Sequence, residues 1–370
     1  MTRVGVMHIT DTLDAGGAER VAVDTVNLLP RDRYLTYLCT TRRDGPLAEL
    51  VEADVGRLRL KRKRRIDLRA LWHLVTFIRA NRIQILHAHG TSLFIARIAS
   101  LFSAYTTLIW HVHFGKHVSE NRPPWRYRLI SKSINGILTV SQPLAEWSRR
   151  RLSVPANRVW YIPNFVSAAR PNPDVISLPG KAGARIVCVA NLRPEKDHIT
   201  LLRAMGLVTQ QMPEAHLILV GATSDEEYFK VIRREVQKQG IERNVSLLGQ
   251  RRDVSSILQR CDIGVLSSTS EGLPLALIEY GEAGLAAVAT LVGQCAEVLD
   301  DGSAGLLVPP GAPHKLAEAI LSLLRSLELR EELGKQFRRR VREHYSADNS
   351  IRQICQVYET VLSSKKSLGN

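Results

Sequence analysis

The chain has 370 residues, 45% of them hydrophobic, enough to bury the cores of two ordinary α/β domains. Its five cysteines (Cys39, Cys188, Cys261, Cys295 and Cys355) are odd in number, far apart and without a C-x-x-C pair, which speaks against a disulfide framework or a zinc site and fits a reducing, cytoplasmic compartment. The formal net charge of +15 resides wholly in the first half: residues 1–170 hold 27 Lys and Arg against 12 Asp and Glu, and residues 171–370 hold 24 against 24.

The opening "MTRVGVMHITDT" contains an apolar run too short for a signal peptide, and no later window is apolar for the length of a membrane span. A soluble or peripheral protein is therefore expected. Val4 to Ile9 reads as a first strand. In the following "DTLDAGGAERVAVDTVNLL" (Asp11 to Leu29), Gly16 and Gly17 would let the backbone approach a ligand, and the amphipathic helix after them would aim its N–H groups at an anion. The pair is not G-x-G-x-x-G, and a Gly-Gly turn also serves any tight turn.

Further along come the bare charge run "KRKRR" (Lys61 to Arg65), strands at Ile83 to His89 and Thr106 to Val112, and the brief "RPPWRYR" (Arg122 to Arg128). Neither basic run forms a recognisable nucleic-acid module, so no nucleic-acid partner is expected. The charge asymmetry points instead to an anionic membrane face or a lipid pyrophosphate, with a solvated basic surface as the alternative.

The segment "SAARPNPDVISLPGKAGA" (Ser167 to Ala184) has no apolar period and marks a boundary between residues 1–170 and residues 171–370. Strand-like runs then resume at Ala184 to Ala190, His216 to Gly221, Val245 to Gly249 and Asp262 to Ser268, alternating with helical patterns. The whole pattern predicts two doubly wound parallel sheets with a cleft between them and ligands at the carboxyl ends of their strands. In "VANLRPEKDH" (Val189 to His198), Arg193 and Lys196 follow a strand and could neutralise a pyrophosphate, or could be solvated loop cations.

"TSEGLPLALIEYGEAG" (Thr269 to Gly284) follows another strand. Pro274 suits a helix start, Gly272 permits close backbone approach, Glu271 would lie in the loop, and Glu279 would face the same cleft from inside the helix. Carboxylates accept hydrogen bonds from vicinal hydroxyls, so the two could hold a sugar and a ribose with a phosphate at the helix N-terminus between them.

The spacing Glu271-x7-Glu279, preceded by "LRPEK" and followed by "GLAAVATLVGQCAEVLDDGSAGLLVPPGAPHKLAEAI" (Gly284 to Ile320), resembles the retaining glycosyltransferases of family 4, which have the GT-B fold. "GGAERVAVDTVNLL", Ile137 to Val166 and His344 to Leu362 extend the resemblance over nearly the whole chain. It implies that Glu279 holds the nucleotide ribose and Glu271 the donor sugar, with Gly272, Leu273 and Pro274 in the same donor-binding segment. Arg193 and Lys196 match the diphosphate clamp, and Gly16 and Gly17 the loop closing over the donor. The family's His near the reacting carbon matches "WHVHFG", where His113 fits and His111 is the alternative. A C-terminal helix at about 345–362 is expected to pack back on the first domain.

The chain departs from the family's pattern at "GATS" (Gly221 to Ser224), Ala286 and "GQCAEV" (Gly293 to Val298), and the last two bear on donor identity. The implied reaction moves a sugar, with retention, from a nucleotide-sugar to a saccharide acceptor that is lipid-linked or a surface-polysaccharide precursor, at the inner face of a membrane. No cofactor and no metal are expected, since the sequence lacks an Asp-x-Asp pair to bridge a diphosphate through a divalent ion. The other readings are a non-catalytic GT-B subunit that binds a nucleotide-sugar and, from the charge alone, a nucleic-acid-binding protein.

Overall fold

In a computed structural model of the chain, residues 3–14, 16–64, 67–103, 105–113, 125–166, 177–223, 225–251 and 253–367 are described. Arg65, Phe114 and Gly115, the first three residues of "RPPWRYR", Ser224 and most of the expected boundary segment lie outside them. The chain divides into two compact units, Met1–Phe165 with Ala347–Asn370, and Val166–Ser346. The helix that ends the chain runs Ala347–Ser367 and belongs to the first unit, so the chain passes between the units twice.

Seven short runs, all but β3 rich in β-branched or apolar residues, form the first sheet: β1 (Val4–Thr10), β2 (Tyr34–Thr40), β3 (Gly56–Arg59), β4 (Ile83–His89), β5 (Thr107–Val112), β6 (Gly136–Thr139) and β7 (Val159–Tyr161). All pairings are parallel, in the order β3-β2-β1-β4-β5-β6-β7. Parallel strands need crossovers, and the helices that supply them cover both faces, which is why the central strands are buried at nearly every position.

The helix Leu68–Ala80 shows how the crossovers are specified. Asp67 accepts a hydrogen bond from the Ala70 N–H (3.0 Å) as N-cap, and Ala70, Leu74, Val75 and Ile78 repeat at helical spacing on its buried face. They pack with Met7, Ile9, Leu86 and Trp110 in one core. Side chains alternate along a strand, so His8, His87, His89 and His111 face the other side of this sheet. The final helix meets that side through Tyr358.

The second sheet has six parallel strands, β8 (Arg185–Val189), β9 (His216–Val220), β10 (Val245–Gly249), β11 (Ile263–Leu266), β12 (Ala286–Thr290) and β13 (Leu306–Val308), in the order β10-β9-β8-β11-β12-β13. Strand order therefore reverses between β1 and β4 in one sheet and between β8 and β11 in the other. Adjacent strands whose connections leave in opposite directions open a crevice at their carboxyl ends.

At the second crevice β8 and β11 pair only through Ile186 with Ile263 and Val187 with Gly264. The Tyr280 hydroxyl takes over beyond that point, accepting from the Val189 N–H (2.7 Å) and donating to the Val265 carbonyl (3.2 Å). Gly264 carries no side chain because the Tyr280 ring would stand 2.4 Å from its Cβ. One phenol thus satisfies two backbone groups where the strands part.

Candidate functional site

The second unit brings Arg193, Lys196, Glu271, Gly272, Leu273, Pro274 and Glu279 to the loops and helix that follow β8 and β11. After β8, Arg193 is extended and opens a single turn, Pro194–Lys196. Asp197, in the left-handed region at φ 46°, ends it and caps the helix His198–Gln211 by accepting from the Thr200 N–H (3.2 Å) and hydroxyl (2.6 Å). Lys196 thereby points at the β11 loop.

Lys196 Nζ lies 2.6 Å from Glu271 Oε1, and the Ser268 hydroxyl donates to the same oxygen at 2.6 Å. Three further bonds join the loops: Ser267 Oγ donates to the Lys196 carbonyl (2.9 Å), and the Thr269 N–H (2.9 Å) and hydroxyl (3.3 Å) both donate to the Glu195 carbonyl. The Glu271 side chain is 9% exposed and that of Lys196 25%, so each charge depends on the other in a poorly hydrated place. Glu271 is not a free carboxylate and Lys196 is not a free cation, as the sequence alone left them.

From the other side the Gln294 N–H donates to the Gly272 carbonyl (3.0 Å). Gly293 sits at φ 53°, and a Cβ there would fall 2.3 Å from the Glu271 carbonyl oxygen, so the departure "GQCAEV" keeps the one residue that the close approach needs. Pro274 is the N-cap of the helix Leu275–Ala283 and not its first residue, and Gly284 closes the helix at φ 78°. Leu273 and Pro274 are buried, Gly272 and Arg193 exposed, and Glu279 half-buried one residue before Tyr280. With Lys196 neutralised by Glu271, the exposed Arg193 makes no ion pair among the described residues. A nearby helix N-terminus adds further positive potential.

In the first unit Gly16 is the N-cap and Gly17 the first residue of the helix Gly17–Leu28. The Gly16 N–H donates to the Asp14 carbonyl (2.8 Å). Beside this turn Asp11 accepts from Thr41 (2.5 Å), from Thr91 and from Arg62 (3.4 Å). Arg62, inside the "KRKRR" run, is therefore a structural partner of Asp11 and not a surface cation, its side chain being only 9% exposed. Lys61, Lys63 and Arg64 are exposed.

His111 and His113 lie in a larger group that the sequence reading missed, with His8, His87, His89 and Tyr358. From His113 Nε2 the hydrogen bonds run to His89 Nδ1 (2.9 Å), from His89 Nε2 to His8 Nδ1 (2.9 Å), and from His8 Nε2 to the Tyr358 hydroxyl (3.0 Å). They continue from that hydroxyl to His87 Nδ1 (2.7 Å) and from His87 Nε2 to His111 Nδ1 (3.1 Å). His113 Nδ1 and His111 Nε2 are buried without a partner among the described residues. The available signal was His-x-His on two strand-like runs, "HAH" and "HVH", but only the pairing of β1 with β4 and of β4 with β5 sets His8 beside His87 and His89 beside His111.

Burial pushes His8 and His113 down to about 3, and holds His87, His89 and His111 well below the usual imidazole value, with the neighbouring imidazoles adding to the effect in these three. The group is neutral at neutral pH. Two triplets, His8 with His87 and His89, and His89 with His111 and His113, have nitrogens within 4.8 Å of one another, close enough to share a metal ion. Most of those nitrogens are already bonded to one another, and neither triplet includes a carboxylate to offset a dication.

Comparison with known proteins bears on both units. Residues 15–170 match the family Glycosyltransferase Family 4, and residues 176–340 match Glycosyl transferases group 1. The chain is 28% identical over 182 residues to the N-acetyl-alpha-D-glucosaminyl L-malate synthase of Bacillus anthracis, covering 49% of this chain and 47% of that one. It is 29% identical over 247 residues to the phosphatidyl-myo-inositol mannosyltransferase of Mycobacterium leprae, covering 65% and 62%. The chain thus spans about half to three fifths of the length of these relatives. The crystal structure of Anabaena HepE in complex with UDP and glucose matches with a TM-score of 0.81 at 19% identity, over 97% of this chain and 100% of that one. Two parallel-sheet units, each matched by its own glycosyltransferase family, place the chain among the glycosyltransferases of GT-B fold in which a Family 4 domain precedes a group 1 domain.

Proposed function

We propose that the protein is a retaining glycosyltransferase that moves a sugar from a nucleotide-sugar to a saccharide acceptor, lipid-linked or part of a surface-polysaccharide precursor, without a divalent metal. The observation that carries this reading is the Lys196–Glu271–Ser268 cluster at the crevice between β8 and β11, with Arg193 exposed beside it. Departure of the sugar from its nucleotide leaves negative charge on the diphosphate. Arg193, Lys196 and the N-terminus of the helix Leu275–Ala283 are the groups that stabilise it, which is the part a metal would otherwise play. Glu271 and Glu279 are binding residues: Glu271, oriented by Lys196 and Ser268, holds the sugar hydroxyls, and Glu279 holds the ribose.

Relatives that act on malate and on phosphatidyl-myo-inositol leave the acceptor open between a small anion and a lipid head group. The surface of the first unit favours the lipid. Leu68 and Trp72, 74% and 66% exposed, stand on the helix Leu68–Ala80, directly after Lys61, Lys63 and Arg64. The helix Leu93–Leu101 packs beside it and shows Ile98 and Leu101, followed by Phe102. Apolar side chains next to cations suit a protein that lies on an anionic membrane surface. No helix among the described residues is long and apolar enough to cross a membrane.

Calorimetry with UDP-, GDP- and ADP-sugars, followed by transfer to lipid-linked and soluble acceptors, tests the proposal. Binding without transfer to any acceptor would favour the non-catalytic subunit. Absence of binding together with retention of oligonucleotide on a filter would favour the nucleic-acid reading.

A further inference from the structure

The five imidazoles and the Tyr358 phenol form one unbranched chain of six groups and five hydrogen bonds. It folds back on itself. The run from His113 through His89 and His8 reaches Tyr358 on the final helix, and the run through His87 returns to His111, whose ring centroid lies 4.1 Å from that of His113. Both open nitrogens therefore belong to neighbouring rings at the carboxyl end of β5.

A neutral imidazole has one N–H and one lone pair, and a phenol donates one proton. Six protons must then serve five bonds. If the Tyr358 hydroxyl donates to His8, every histidine must be protonated at Nδ1, and the open nitrogen of His113 is a donor while that of His111 is an acceptor. If it donates to His87, every histidine must be protonated at Nε2, and the two ends exchange roles. In the third arrangement the phenol oxygen accepts from both His8 and His87, which strands a buried phenol proton. Only the first two satisfy the interior.

We propose that the chain is a tautomeric relay, in which the direction of the Tyr358 hydroxyl decides whether His113 offers a donor or an acceptor, making Tyr358 a positioning residue for the sugar hydroxyl that His113 meets. The last clause rests on the glycosyltransferase reading, which places His113 near the reacting carbon.

Passing between the two states moves each of the five bonded protons across its own hydrogen bond. One proton leaves His113 Nδ1 for a ligand or water oxygen and one arrives at His111 Nε2, so the charge of the chain is unchanged. No carboxylate belongs to the chain, although carboxylates commonly fix a histidine tautomer. The other titratable groups against Tyr358 are Cys355 and Tyr34, both pushed upward by burial and uncharged near neutrality.

The full-length protein with ¹⁵N-labelled histidine, read by long-range ¹H–¹⁵N correlation at pH 7, tests this directly. All five histidines should share one tautomer. A mixed set, such as His8 protonated at Nε2 with His87 protonated at Nδ1, overturns the relay. Tyr358→Phe cuts the chain in two, so His113 should change from one tautomer to a mixture, and kcat for transfer should fall about tenfold with donor KM unchanged. A folded variant with unaltered His113 resonances overturns the role of Tyr358. If the variant does not fold, the wild-type spectrum still decides the relay. A shared tautomer with no transfer from any nucleotide-sugar overturns the proposed activity and leaves the relay standing.

Discussion

Lys196 and Glu271 hold each other across the parting of β8 and β11, Nζ to Oε1 2.6 Å, from loops 75 residues apart in sequence. On the proposed reading a diphosphate arriving there would compete with Glu271 for one ammonium group, and the ion pair keeps both side chains oriented. On the same reading the pair is a preorganised half of the donor site, and Arg193, exposed, adds charge that no ion pair among the described residues offsets.

Arg193→Ala and Glu279→Ala should each weaken nucleotide-sugar binding by about 1.5–3 kcal/mol, the range for one lost charge-assisted hydrogen bond. Neither side chain is buried in the core, so the melting temperature should stay within about 2 °C. Calorimetry measures the first effect and scanning calorimetry the second. Unchanged affinity for every nucleotide-sugar tested would remove the donor-site assignment.

Tyr280→Phe removes the hydroxyl that joins Val189 to Val265 and takes the partner from a partly buried N–H. The second unit should lose about 1–3 kcal/mol in urea denaturation. The ring still fills the space over Gly264, so the fold should persist. A loss below about 0.3 kcal/mol would mean that β8 and β11 hold together without the bridge.

Transfer should survive EDTA, because in the proposed mechanism cations and a helix N-terminus take the part a metal would play on the diphosphate. Complete loss on chelation, restored by Mg²⁺ or Mn²⁺, would show that the diphosphate site has been misread. Loss restored only by Zn²⁺ would direct attention to the histidine triplets.

Binding to anionic vesicles should weaken as salt shortens the screening length from about 30 Å at 0.01 M to about 8 Å at 0.15 M. Replacing Lys61, Lys63 and Arg64 with Ser should reduce it while leaving soluble-donor affinity unchanged, and Trp72→Ser should reduce it further. Arg62 is left out because its loss would strand Asp11. Co-sedimentation indifferent to salt and to these replacements would leave the run as a solvated face.

Acid should destabilise the first unit. A buried imidazole with its folded value depressed binds a proton in the unfolded chain before it does in the folded one, so stability falls as pH drops through about 6.5 and keeps falling until the folded value is reached, about 3 for His8. Between pH 7 and pH 5, His8 alone corresponds to about 2 kcal/mol. Denaturation at pH 7 and pH 5 should show that loss, and His8→Gln should flatten the slope. Identical slopes for the variant and the parent would mean that the His8 environment does not exclude the proton.

The sequence by itself determined the alternation of strands and helices and the places of seven of the strands among the described residues, β1, β4, β5, β8, β9, β10 and β11. Strand-like runs at Val4 to Ile9 or Asp262 to Ser268 and capped helices at Asp67 or Asp197 follow from local periodicity and local hydrogen bonding. Parallel sheets follow from the alternation of strand and helix, and "LRPEK" and Glu271 lie in the loops after β8 and β11 while Glu279 lies in the helix Leu275–Ala283.

Partnership was decided only by tertiary structure. The sequence shows Lys196 and Glu271 as two charges, Arg62 as one basic residue among five, and Tyr358 as an aromatic in a terminal helix. That the first two neutralise each other, that the third serves Asp11, and that the fourth joins five histidines depends on strand order and register. A one-residue slip of β4 against β1 would turn His87 and His89 to the opposite face, and nothing in either strand's own sequence fixes that register. Contacts between residues 75 to 350 apart are set by how whole elements pack, which local propensity does not encode.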